Sequence, residues 1–228
     1  AVRVGAAIVG VIVVGGALLG TWFYTTIPVA PSPPPDLAED DSARSHVELP
    51  ATRAELLRMS WVDQAVRTRV QGAIREGGTE GFASGLHLLR LSYLESRVDE
   101  KNTARLKELV AEHGWLHEGR IGEEGAEAAF LIAQHADHDV DFQKTVLKYL
   151  REAYNQGAAP GQQVALLTDR VRAAEGKPQV YGTQAQFRNG GVRFYAIQDS
   201  TNVDQRRSKM GLPPLSDYAE RLKEQLQK

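Results

Sequence analysis

From Val4 to Gly20 the chain reads VGAAIVGVIVVGGALLG with no polar side chain, and apolar character continues through Trp22, Phe23 and Ile27 up to Pro28. A hydrocarbon core takes roughly 20 such residues, so residues 1–27 are predicted to form a transmembrane helix. Trp22 and Tyr24 fall where an interfacial aromatic belt belongs. At 100° per residue, Gly5, Ala6, Gly10, Gly16, Ala17 and Gly20 gather on one smooth face. Ala6-xxx-Gly10 and Gly16-xxx-Gly20 have the spacing that lets two helix backbones approach closely. The expected partners are therefore the lipid bilayer and an integral membrane protein. After the helix the chain reads PVAPSPPPD and then an acidic, polar run, which predicts an extended Pro-rich and acidic spacer over 28–50.

A helical period takes over in the domain expected at 51–228. Thr52-Arg-Ala-Glu55 is written as a capping box, followed by an apolar stripe of Leu56, Met59, Val66, Val70 and Ile74 that ends at Gly77-Gly78. A second helix is predicted through Phe82, Leu86, Leu89 and Tyr93. A third begins near Asp99, carries Leu106, Leu109 and Val110, and stops at Gly114. Ala126–His135 makes a fourth, buried one. Asp139 or Asp141 caps a fifth with Phe142, Val146, Leu150 and Tyr154, closed by Gly157. Pro160 opens a sixth with Val164, Leu167 and Val171, closed by Gly176. The pattern then turns strand-like in PQVYGTQAQF and VRFYAI, joined around Asn189-Gly190, a strong hairpin signal. Pro213-Pro214 precedes a last helix, capped by Ser216, with Tyr218, Leu222 and Leu226 on one side. The fold class that follows is all-α, mainly helical with one small β-hairpin, plus one N-terminal transmembrane helix.

Charge orients this arrangement. Arg3 is the only charged residue before Asp36, and no further Lys or Arg appears until Arg44, after Asp36, Glu39, Asp40 and Asp41. The positive-inside rule then puts the N-terminus in the cytoplasm and the C-terminal domain in the periplasm or extracellular space. A cleaved secretory signal is the competing reading, but the apolar stretch is long for one, and the small-residue site at Ala30 precedes Pro31. Beyond the spacer's start the chain carries 26 basic against 29 acidic residues, a balance that gives no footprint for nucleic acid. The absence of cysteine excludes disulfides, thiolate ligands and a cysteine nucleophile.

Candidate chemistry is densest at Gln134-His135-Ala-Asp137-His138-Asp139-Val-Asp141, between two predicted helices, where imidazole and carboxylates can exchange protons or meet a metal. Asp137, Asp139 and Asp141 copy the start of a calcium loop. Phe142 then stands where that loop needs Gly and Lys148 where it needs Glu, so no metal ligand set is assigned. The plainer reading is that the Asp residues cap a helix and the His residues are solvated. Asp169-Arg170 and Asp63-Gln64-xx-Arg67 place charge inside predicted helices, where ion pairing is the plainer reading and anion binding the sharper one. Tyr181-Gly-Thr-Gln184 offers a phenol and an amide or simply marks a bend. There is no GxSxG, Walker loop, dinucleotide fingerprint or HExxH, and no cofactor is indicated.

Asp63-Gln64-xx-Arg67, Asn102-Thr-Ala-Arg105-Leu, His113-Gly-Trp115, Gln134-His135-Ala-Asp137, Phe142-Gln143, Asp169-Arg170, Tyr181-Gly-Thr-Gln184 and Val203-Asp-x-Arg206-Arg207 form an ordered series. In it the chain resembles the bacterial domain-of-unknown-function family 6624, over about residues 56–218. Leu116 departs from the pattern, which leads one to expect Pro after Trp115. The resemblance brings no established activity with it. If its motif residues converge, it implies either one polar pocket in which Asp63, Arg67, Arg170, Tyr181 and Gln184 bind a ligand and His135, Asp137 and Asp169 do the chemistry, or a buried hydrogen-bond network that belongs to the fold. Two functions follow. The favoured one is an accessory or structural subunit that packs against a larger membrane complex through its Gly/Ala face and its extracytoplasmic domain. The alternative is a membrane-anchored hydrolase-type enzyme or ligand-binding protein using the pocket around His135.

Overall fold

A computed structural model describes residues 28–34, 47–75, 82–188 and 191–227. The predicted membrane helix over 1–27, with its packing residues Ala6, Gly10, Gly16 and Gly20, lies outside the described residues, as do most of the spacer and the Asn189-Gly190 turn. Among the described residues no helix is long and apolar enough to cross a membrane.

The domain is mainly helical. In chain order it has α1 (Pro50–Arg75), α2 (Phe82–His113), α3 (Glu118–Gln134), α4 (Val140–Asn155), α5 (Gly161–Ala174), strands β1 (Ala185–Arg188) and β2 (Gly191–Phe194), a 3-10 turn (Ser200–Asn202), α6 (Val203–Lys209) and α7 (Leu215–Gln227). The described residues divide into two compact units, one within 28–32 and 64–98, the other within 33–63 and 99–227. In the smaller unit Val70 and Ala73 pack with Leu91, Leu88 against them. The larger unit holds the main core, where Leu56, Leu106, Leu109, Ile121, Ile132, Val146, Leu150 and Leu167 are almost wholly buried.

Several helix ends differ from the sequence reading, each for a local reason. The first helix starts two residues before the expected cap at Thr52. The Leu49 N–H is pinned to the Arg120 carbonyl at 3.1 Å while the Leu49 carbonyl accepts from Arg53 at 3.0 Å, and Pro50 suits a first helical position. Ile74, expected on the apolar stripe, is 51% exposed. The second and third predicted helices are one 32-residue helix, α2. Nothing between Tyr93 and Asn102 breaks it, and buried Leu91, Leu94, Val98 and Leu106 keep one stripe running. Asp99 is therefore inside a helix rather than at its start.

Helix α3 extends eight residues further back than expected and bends at Gly122, whose φ of 71° suits glycine and breaks the helical path. Leu116, the departure from the family pattern, is fully buried in the core. Of the two candidate caps for α4, Asp139 is the one used, accepting from the Phe142 N–H at 3.0 Å. Pro160 caps α5 rather than opening it. The hairpin is present but shorter than predicted, an antiparallel pair running from Ala185 opposite Phe194 to Arg188 opposite Gly191. Upstream, Gln179 makes only an isolated bridge to Ile197. Ser216 sits inside α7 instead of capping it, because the Asp204 carboxylate accepts from the Leu215 N–H at 2.8 Å and serves that end.

Candidate functional site

On α1, buried Leu56 and Val66 and half-buried Met59 set an alternating spacing of three and four residues. Asp63 occupies the position in that stripe where an apolar residue is expected, so its carboxylate is carried into the interior. At the far end of α3 the helix closes on His135, whose N–H returns to the Leu131 carbonyl at 3.0 Å. That closure aims the imidazole at α1. Nδ1 of His135 lies 2.9 Å from Oδ1 and 3.1 Å from Oδ2 of Asp63. The Asp63 side chain is 1% exposed and that of His135 13%. Asp99, half-buried on α2, completes a triad in which one ligand-type atom from each residue lies within 4.8 Å of the other two. A carboxylate facing one imidazole nitrogen fixes the ring's tautomer and orientation, and it stabilises the ring when a proton arrives.

Two residues along, Asp137 turns to other partners. Its two oxygens accept from Arg170 at 2.8 and 2.7 Å, and one accepts from Gln143 Nε2 at 3.2 Å. Gln143 is fully buried and also donates to the Ala133 and Gln134 carbonyls, tying the end of α3 to α4. Among the described residues, Arg170 Nε and Gln143 Oε1 are buried without a hydrogen-bond partner. Asp139 accepts from Lys107 at 2.7 Å. The Lys107 ammonium, and then the Phe142 amide, hold its carboxyl below its ordinary range.

Asp169 belongs to a third network. It is fully buried on α5 and accepts from the N–H groups of Val180 at 2.7 Å, Tyr181 at 3.1 Å and Thr183 at 2.9 Å, with the Thr183 hydroxyl at 3.1 Å. Gly182, at φ 68°, lets the chain turn those amides inward, and a Cβ there would meet Ile197 at 2.8 Å. On its other side the same loop is held by Arg207, also fully buried. Its guanidinium donates to the Tyr181, Gly182 and Pro213 carbonyls and lies over the Tyr218 ring at 5.1 Å. Arg206 donates to the Val180 carbonyl at 2.8 Å. Gln184 is bound through its backbone to the buried Gln179 side chain and through its own amide to Thr183. Burial pushes the Tyr181 phenol up, and the nearby Asp169 charge adds to it.

The predicted site residues thus join in separate groups: His135 with Asp63, Asp137 with Arg170, and Asp169 with the loop that carries Tyr181 and Gln184. Arg67 belongs to the smaller unit, where it pairs with Glu95. A shallow groove of about 580 Å³ along α4 and α5 has mixed charge, with Lys148, Arg151 and Arg172 against Glu152 and Glu175, and His135 does not line it.

The family model for DUF6624, described as a family of unknown function, matches residues 50–227. The chain belongs to this family. No curated protein and no solved structure matches it. The matched span takes in every described helix of the domain, and the motif series that carries the DUF6624 resemblance falls on all three networks. Asp99 was missed as a site residue because it was read as the start of a helix. The signal was available in the spacing: Asp99, Asn102 and Leu106 recur on one helix face, and Asn102 is itself buried and reaches the Met59 carbonyl at 3.4 Å.

Proposed function

We propose that this DUF6624 domain is an anchored hydrolase-type enzyme or ligand-binding domain whose working centre is His135 with Asp63. The observation that carries this reading is the 2.9 Å approach of the His135 imidazole to a carboxylate that is almost wholly buried. A carboxylate placed there for stability alone is better served by fixed backbone donors, as at Asp169. One placed against a titratable ring keeps that ring in the tautomer and orientation that proton transfer needs. Asp137, in the turn after His135, and Arg170, which reaches it from α5, suit an anionic or carbonyl-bearing solute. In this reading Asp169 is a positioning residue for the 178–184 loop, and residues 1–27 anchor the domain outside the cytoplasm.

The test is hydrolysis of a panel of nitrophenyl phosphate, ester and glycoside probes by the whole chain in mild detergent. Turnover that is lost in His135→Gln with an unchanged circular dichroism spectrum supports the reading. Turnover that survives His135→Gln contradicts it, as does a panel that is neither turned over nor able to shift the melting temperature.

A second reading, the accessory subunit of a membrane complex, is favoured by the Ala6-xxx-Gly10 and Gly16-xxx-Gly20 spacing. Copurification of a stoichiometric membrane partner, lost when Gly16 and Gly20 are replaced by Leu, supports it. A solitary species on a native gel opposes it.

A further inference from the structure

Asp99 gives the centre a third corner, and that corner changes what the centre is suited to hold. We infer that Asp63, Asp99 and His135 form a binding site for a divalent transition-metal ion of the Zn²⁺ or Mn²⁺ type. This deepens the reading of the His135–Asp63 centre and rests on it.

The geometry argues for it in three steps. First, the group is of mixed chemistry, two carboxylates and an imidazole drawn from α1, α2 and the end of α3, with all three ligand-type atoms within 4.8 Å of one another. Second, the His135–Asp63 separations of 2.9 and 3.1 Å match the spacing of neighbouring ligands that each stand roughly 2.0–2.2 Å from a shared ion. An ion there takes the place of the proton between the ring and the carboxylate. Third, one of the two carboxylates is at 1% exposure, so bulk water does not compete with an ion for its oxygens.

The donor set also selects the ion. One imidazole and two carboxylates, in a chain with no cysteine, suit Zn²⁺, Mn²⁺ or Fe²⁺. They disfavour Cu⁺, which seeks sulfur, and Ca²⁺, which seeks six or more oxygens. Three protein ligands leave positions open for water and for an oxygen of a bound anion, the arrangement of catalytic rather than structural metal sites.

The experiment uses the whole chain, purified in mild detergent and stripped with a chelator, then titrated separately with Zn²⁺ and with Mn²⁺. Calorimetry and elemental analysis after desalting are the readouts. One ion per chain is expected, with affinity reduced more than about 100-fold in Asp99→Asn and in His135→Gln, a loss beyond that of outer-shell changes. Asp141→Asn, at a carboxylate 93% exposed, should bind as the wild type does. No retained ion, or binding that Asp99→Asn leaves intact, overturns the inference. Because Asp99→Asn alters a half-buried residue conservatively, it reports on the ion without touching the buried Asp63. The outcomes separate the two proposals. An ion bound through Asp99 in a chain whose turnover ignores His135 sustains the metal site and removes the hydrolase reading. Turnover that needs His135 in a chain that binds no ion does the reverse.

Discussion

Asp63 and Asp169 are both aspartates set within helices, both almost wholly shielded from water, and their surroundings are opposite in kind. Asp169 is saturated by donors that cannot change state: three backbone N–H groups and a hydroxyl from a loop whose carbonyls are gripped in turn by Arg207. Asp63 faces a ring that can gain or lose a proton, and it shares its surroundings with a second carboxylate. A buried charge is costly wherever it sits. At Asp169 the cost is offset by locking a loop in place, which is architecture. At Asp63, on the proposed reading, it holds an imidazole in the orientation that proton transfer needs. Burial alone therefore does not mark a functional acid; the nature of its partner does.

The sharpest way to break this contrast is at the loop. Asp169→Ala strands three inward-facing amides and should cost about 3–5 kcal/mol, seen as a lower urea midpoint by far-UV circular dichroism, with the region around Tyr181 exposed first. Arg207→Met keeps the bulk but removes the donors to Tyr181, Gly182 and Pro213. A loss of about 2–3 kcal/mol is expected, with quenching or shifting of tyrosine signals as the contact to Tyr218 goes. An Arg207→Met variant as stable as the wild type removes half of the loop argument.

These positions also show what the sequence displays and what it conceals. The helical stripes were legible because each helix of the larger unit buries one face, and the Asn189-Gly190 signal located the hairpin. The motif Tyr181-Gly-Thr-Gln184 was visible, but whether it offered side chains or backbone was not, since that depends on Gly182 turning the amides toward a carboxylate eleven or more residues earlier. Asp63 was visible as a charge inside a predicted helix. Its nearness to His135 was expected only through the family resemblance, and its meeting with Asp99 was concealed because the residues lie on separate helices, and contacts so distant in sequence leave no local period. Helix α6 escaped notice for a simpler reason: at seven residues it is too short to show a stripe.

At the proposed His135–Asp63 centre a small stability effect should go with a large functional one. His135→Gln should shift stability by less than about 1 kcal/mol while abolishing turnover or ligand response; a thermal melt read beside the hydrolysis assay checks both. The smallest effect is expected at Asp139, whose pair with Lys107 is part-exposed. Lys107→Met should cost under about 1 kcal/mol. Because the Asp139 carboxyl is held below its ordinary value of 3.8, its stabilising contribution is complete above that value and is lost as pH falls through the lower folded one. The difference between Lys107→Met and wild type should therefore be full near neutrality and shrink in acid; a difference that grows in acid would have the wrong sign.

The central claim is that Asp169 is architecture and Asp63 is chemistry, and paired denaturation of Asp63→Asn and Asp169→Asn in chelator tests it most directly. Asparagine at 63 still accepts from His135 and relieves the charge shared with Asp99, so a change within about 1 kcal/mol of wild type is expected, or a gain. Asparagine at 169 sets an amide N–H against inward-facing backbone N–H groups and should cost about 2–4 kcal/mol. Equal losses at both positions would contradict the account and make Asp63 one more strut of the fold.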